Sequence, residues 1–79
     1  MNVFPNPAGT HVWVNLAGMR SSDGTLQFYD MTGKLLRSER MNGNSRQRIS
    51  RDELEAGIYL LRWTGNNGEA VSARVIFTE

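Results

Sequence analysis

Four dipeptides, Asp23-Gly24, Thr32-Gly33, Asn42-Gly43 and Asn67-Gly68, cut this chain into pieces of hairpin-strand length. Gly and Asn tolerate the positive φ of tight hairpin turns, so each dipeptide is read as a turn. Between them apolar residues alternate with polar ones: Val12, Val14 and Leu16; Leu26 and Phe28; Tyr59, Leu61 and Trp63; Val71, Ala73, Val75 and Phe77. A period of two marks half-buried strands. Apolar positions at i, i+3, i+4 and i+7 are nowhere sustained over about 11 residues, so long helices are not expected. The chain reads as all-β.

Strands are expected near 2–5, 10–17, 25–31, 34–40, 45–49, 58–63 and 70–77. A length of 79 residues fits one domain, 1–79, with a lean core. Seven strands in one domain predict an antiparallel, immunoglobulin-like β-sandwich. The expected inward positions are Val12, Val14, Leu16, Leu26, Phe28, Leu36, Ile49, Leu54, Tyr59, Leu61, Trp63, Val71, Ala73, Val75 and Phe77. Segment 42–51, with Arg46, Arg48 and Arg51 among Asn, Ser and Gln, is read as a weakly held edge strand plus loop. Ser50-Arg51-Asp52-Glu53 has the form of a capping box and predicts at most one helical turn, a corner between sheets with Leu54 as its plug. The spacing Leu54-x-x-Gly57-x-Tyr59 resembles a tyrosine corner, in which the ring is buried and the hydroxyl bonds back to the backbone.

Catalysis needs convergent groups, and this inventory is thin. There is one histidine, no cysteine, and the carboxylates are scattered. His11 has no second histidine or carboxylate at ligand spacing and is read as a partly exposed polar residue. Asp30-Met31-Thr32-Gly33 matches an aspartic-protease Asp-Thr-Gly only with an extra residue; it is read as a strand end whose Asp30 bonds the turn backbone. The glycines follow no phosphate-cradling pattern. No catalytic, metal or cofactor residue is assigned. Nine Lys and Arg against eight Asp and Glu, a net charge of +1, form no basic stripe, so nucleic acid is a poor partner. No run reaches the roughly 18–20 apolar residues of a membrane span. The start, Met1-Asn2-Val3-Phe4-Pro5, lacks the features of an export signal. Two readings of it are open: a complete small cytoplasmic protein, or the excised end of a longer chain.

Trp13 and Tyr29 alternate with core positions and should point outward, with Ile58, Leu60 and Ile76 on other outward faces. They serve either as contact aromatics for a protein or a sugar ring, or as cross-strand pairs that stiffen the sheets. Pro5-Asn6-Pro7 removes two backbone donors and should end the first strand. The last strand runs to within two residues of the terminus, with Arg74 outward between apolar neighbours.

Four segments in this order carry a resemblance: Val3-Phe4-Pro5-Asn6-Pro7-Ala8-Gly9, then Leu26 to Leu36, then Leu54-Glu55-Ala56-Gly57-Ile58-Tyr59-Leu60-Leu61-Arg62, then Arg74-Val75-Ile76-Phe77. Together they resemble the C-terminal sorting domain of the type IX secretion system over essentially the whole chain. The resemblance implies an address, not an enzyme. Such a domain ends a cargo protein that enters the periplasm behind an N-terminal export signal. It then passes the outer-membrane type IX translocon to the cell surface or medium and is commonly removed by a surface sortase. The chain would then be excised from a longer cargo protein, with the cleavage site upstream. Pro5, Asn6 and Pro7 match the opening motif, Gly33 the middle turn, Gly57 and Tyr59 the Gly-x-Tyr, and Arg74, Val75, Ile76 and Phe77 the closing basic-apolar strand. Arg74 stands where many members have Lys, which keeps the charge but changes the hydrogen-bond geometry. Two recognition modes are open: strand addition at an exposed edge, the terminal one first, or reading of a folded surface. The competing class is an adhesion or carbohydrate-binding module using Trp13 and Tyr29.

Overall fold

Each period-two segment has one face of branched or aromatic side chains to bury, and pairing buries it while satisfying the backbone. The computed structural model describes residues 1–79 and forms seven strands: β1 (Asn2–Phe4), β2 (His11–Asn15), β3 (Asp23–Tyr29), β4 (Leu35–Asn42), β5 (Arg46–Ser50), β6 (Gly57–Gly65) and β7 (Ala70–Phe77). They make a three-stranded sheet in the order β1-β2-β5 and a four-stranded sheet in the order β4-β3-β6-β7, antiparallel throughout. Val12, Val14 and Ile49 from the first sheet share one buried cluster with Leu26, Phe28, Leu61, Trp63, Val75 and Phe77 from the second. Burying a side chain of this kind is worth about 1.5–3 kcal/mol.

Three of the four turn dipeptides supply left-handed glycines: Gly33, Gly43 and Gly68 have φ of 90°, 84° and 86°. Asp23-Gly24 does not turn. It opens β3, where Gly24 pairs with Met41 on one side and Gly65 on the other. A Cβ on Gly24 would lie 2.2 Å from the Thr64 carbonyl oxygen and 2.7 Å from the Trp63 ring. This glycine therefore makes room for a neighbouring strand and an indole, not for a bend.

The parity of β4 is also opposite to expectation. Leu36 is exposed, and Arg37, Glu39 and Met41 stand opposite Phe28, Leu26 and Gly24, on the inward side. A register shift between Phe28 and Tyr29 accommodates one extra β4 residue. Met41, absent from the expected core, is fully buried opposite the bare backbone of Gly24. Arg37 lies over the Phe28 ring, its Cζ 4.8 Å from the centroid. It donates to the Ser50 carbonyl at 2.6 Å and the Arg51 carbonyl at 3.2 Å, and pairs with Glu39 at 3.4 Å. The opposite parity would exchange those partners for a leucine and leave the end of β5 without its donors. Inward charges on an edge strand also discourage pairing with another chain.

Ser50 to Glu53 forms a turn without a helix. The Ser50 hydroxyl donates to Asp52 Oδ1 at 2.8 Å, Asp52 takes φ of 53°, and the Leu54 amide closes on the Arg51 carbonyl at 3.2 Å. With its hydroxyl spent on Asp52, Ser50 caps nothing. Leu54, Val71 and Ala73 are half-buried, with Leu54 and Val71 packed against the core, and Ala8 joins it unexpectedly. The Tyr59 ring is buried and its hydroxyl donates to the Glu55 carbonyl.

The β4 parity sets a test. Met41→Ala should cost about 2–5 kcal/mol, as large-to-small core changes do, whereas Leu36→Ser should stay within about 0.5 kcal/mol. Urea unfolding followed by tryptophan fluorescence measures both.

Candidate functional site

The two ends of the chain meet along the outer edge of β7. The two prolines leave Asn6 no regular partner strand, and its side chain bonds in place of a backbone. Nδ2 donates to the Arg74 carbonyl at 2.9 Å, and Oδ1 accepts from the Ile76 amide at 3.0 Å. The Ala8 amide then donates to the Ile76 carbonyl at 2.8 Å, and the Thr78 amide donates to the Ala8 carbonyl at 2.9 Å. Ala8 and Phe77 form an isolated parallel bridge. A segment leaving β1 in one sheet thus serves as a short strand for the other. The β7 edge is occupied from Arg74 to Thr78.

Arg51 knots this junction, and sequence reading had treated it as loop charge. Its Nε donates to the Leu54 carbonyl at 2.7 Å and its Nη1 to the Gly9 carbonyl at 2.9 Å and to the Thr78 carbonyl. Its Cζ lies 5.1 Å from the Phe77 ring centroid. Phe77 in turn packs edge-on against Tyr59, ring centroids 5.7 Å apart, and pairs across the ladder with Gly57. Pro5-Asn6-Pro7, Gly57, Tyr59 and Arg74 to Phe77 therefore gather at one end of the four-stranded sheet. The only sequence hint of Arg51's role was its place next to the corner.

Gly33 reaches the same end from the β3–β4 turn. Asp30 Oδ1 accepts from the Thr32 hydroxyl, the Thr32 amide at 2.9 Å and the Lys34 amide at 3.0 Å. The Thr32 hydroxyl bond, followed by the Lys34 amide bond, holds the Asp30 carboxyl below the usual carboxylate range. Beside this turn, Tyr29, Asp30, Met31, Gly33, Leu60, Arg62 and Arg74 line an open groove of about 400 Å³ on the outer face of the sheet. Tyr29, Leu60 and Arg74 form one cross-strand row.

Trp13 and Tyr29 do not share a surface. Trp13 lies on the outer side of the three-stranded sheet, half-buried opposite Phe4, with the Arg46 Cζ 5.3 Å from both ring centroids. Tyr29 lies on the other outer side, half-buried, its hydroxyl donating to Gln27 Oε1 at 3.0 Å. A sugar-stacking platform built from both is therefore not formed. His11 sits edge-on to Trp13 at 6.5 Å, with Nδ1 3.0 Å from the Thr10 hydroxyl.

These features define a class: a two-sheet β-domain whose N-terminal segment is zipped to the edge of its last strand. Residues 2–78 match the secretion system C-terminal sorting domain, and the chain belongs to that family, the sorting domains of type IX secretion. It is also similar to an endo-acting ulvan lyase of Formosa agariphila, 28% identical over 76 residues that cover 96% of this chain and 14% of the lyase. The chain thus spans a small part of that curated relative. The relative is named for a lyase activity, while the family is named for sorting.

Two outcomes follow from these contacts. Asn6→Ala should cost about 1 kcal/mol, the net worth of a typical exposed side-chain bond pair, and should speed hydrogen exchange at the Ile76 amide more than at core amides of β3. Asp30→Asn should narrow its stability gap to the native chain in acid. Because the folded carboxyl sits below its unfolded value of about 3.9, its stabilisation is full above that pH and is lost as pH falls through the folded value. Thermal unfolding of both proteins between about pH 6 and pH 2 measures this.

Proposed function

We propose that this chain is the C-terminal address of a longer cargo protein, read at the outer-membrane type IX translocon and removed by a surface sortase that cuts upstream of Pro5. The cargo lies N-terminal to it in the parent chain and carries the export signal to the periplasm; the destination is the cell surface or the medium. The observation that carries this reading is the family match over residues 2–78; the contacts of Asn6 with Arg74 and Ile76 and of Tyr59 with Phe77 at one end of the molecule support it. The strand orders β1-β2-β5 and β4-β3-β6-β7, with the Tyr59 hydroxyl on Glu55 at the start of the sixth strand, favour an immunoglobulin-like sandwich as its architecture.

Of the two recognition modes, the geometry favours a folded surface. Strand addition along the Arg74–Thr78 edge must first displace Asn6 and Ala8, and at β4 it meets the inward Arg37 and Glu39. A sorting domain of this family is not itself a catalyst, and any enzymatic activity belongs to the cargo.

The test is a folded reporter carrying an N-terminal export signal and this domain at its C-terminus, in bacteria with and without a working type IX translocon. The reporter should reach the surface or medium only where the translocon works. Retention in the periplasm of both strains, with the domain shown folded by circular dichroism, would overturn the reading.

A further inference from the structure

The outer face of the four-stranded sheet carries arginines that no ion pair within the chain engages. Its outward positions hold Arg40 on β4, Arg62 on β6 and Arg74 on β7, all exposed. Both ion pairs of the protein belong to Arg37, on the inward side, so these three arginines have no carboxylate partner. Two acids share this surface: Asp23, opposite Asn42 at the start of β3, and Asp30, which lines the groove beside Arg62 and Arg74 with its Oδ1 held by its own turn. A nearly neutral chain has thus set three unpaired cations on one face, beside exposed apolar side chains: Leu60 at 41% and Met31 at 62%.

Spacing narrows the choice of occupant. Leu60 pairs with Arg74 and Arg62 with Ser72, so Arg62 and Arg74 are diagonal neighbours, with backbones roughly 7–8 Å apart. An extended chain repeats its same-face side chains at about 7 Å, twice the rise per residue. Two carboxylates at i and i+2 of an extended segment therefore meet the two guanidinium groups in register. The groove beside them, walled by Tyr29, Met31 and Leu60, takes an apolar side chain. The exposed Leu60 and Met31 favour a polypeptide over an anionic polysaccharide, since the one ring in the groove, Tyr29, is half-buried with its hydroxyl bonded to Gln27.

Resting on the sorting reading above, we infer that this groove is a docking surface for an extended acidic polypeptide segment of the partner, with alternate carboxylates on Arg62 and Arg74 and an apolar side chain against Leu60. The edge of β7 stays closed in this mode. Arg74 acts through its side chain on the sheet face, while its backbone carbonyl stays with Asn6.

The test is an amide-shift titration of the 79-residue chain with the capped peptide Asp-Thr-Asp-Thr-Leu-Thr, its Asn-for-Asp counterpart and polygalacturonate. Shifts should gather at Tyr29, Leu60, Arg62 and Arg74, with the neutral peptide at least about tenfold weaker. Arg62→Glu combined with Arg74→Glu, or the milder pair of Gln substitutions, should abolish the effect, while Arg46→Glu on the other face leaves it unchanged. Equal binding of the neutral peptide, shifts centred on Trp13, tighter binding of polygalacturonate at the groove, or no binding at all would each overturn the proposal. The secretion reporter separates it from the reading on which it rests. Loss of export in the folded double Glu variant supports the groove; normal export refutes the groove and leaves the address intact. If the native domain itself confers no translocon-dependent export, the address fails, and the titration alone decides the groove.

Discussion

The rest of this structure depends on the bond between its two ends. β7 supplies Val75 and Phe77 to the core, yet it is the last strand of its sheet and stops two residues before the end of the chain. A terminal edge strand frays and offers unpaired donors and acceptors to other chains. Here Asn6 and Ala8 satisfy that edge from Arg74 to Thr78, and Arg51 fastens Gly9, Leu54 and Thr78 behind it. Because Asn6 follows a strand of the opposite sheet, the same contact closes one side of the two layers. Arg37 closes the other by bonding the carbonyls at the end of β5.

Charge in this domain is sorted by task. Arg37 and Arg51 are partly buried and spend their guanidinium groups on backbone carbonyls, where a planar fork of donors suits several acceptors at once. Arg40, Arg62 and Arg74 are exposed and spend theirs on nothing within the chain. Asp52, Glu53 and Glu55 lie at the corner between β5 and β6, and Asp30, beside Arg62 and Arg74, is engaged by its own turn. A composition close to neutral therefore hides both a set of structural clamps and a polarised surface, and neither is visible in the net charge.

Much of the fold was legible because alternation and turn chemistry are local. Val12, Val14, Leu26, Phe28, Leu61, Trp63, Val75 and Phe77 declared their inward faces by a period of two, and all are buried. Gly33 and Gly68 announced turns that exist. Leu36 misled because the register shift between Phe28 and Tyr29 leaves it without a partner on β3; Met41 and the acceptors around Arg37 decide the parity instead. Gly24 misled because Asp-Gly signals a bend only when no neighbour needs the space of its missing side chain. At the site, the motif segments were readable in order, but not that Asn6 would reach across some seventy positions to Arg74 and Ile76, nor that Arg51 would join them.

The sequence by itself determined the strands, most of their inward faces and the family, since each rests on residues close together in the chain. Only the tertiary structure decided which edges are closed, which arginines are spent and which are free, and that Trp13 and Tyr29 look out from opposite sides. Those outcomes depend on contacts between residues far apart in sequence, whose geometry is set when two sheets pack and no local pattern encodes the distance between them.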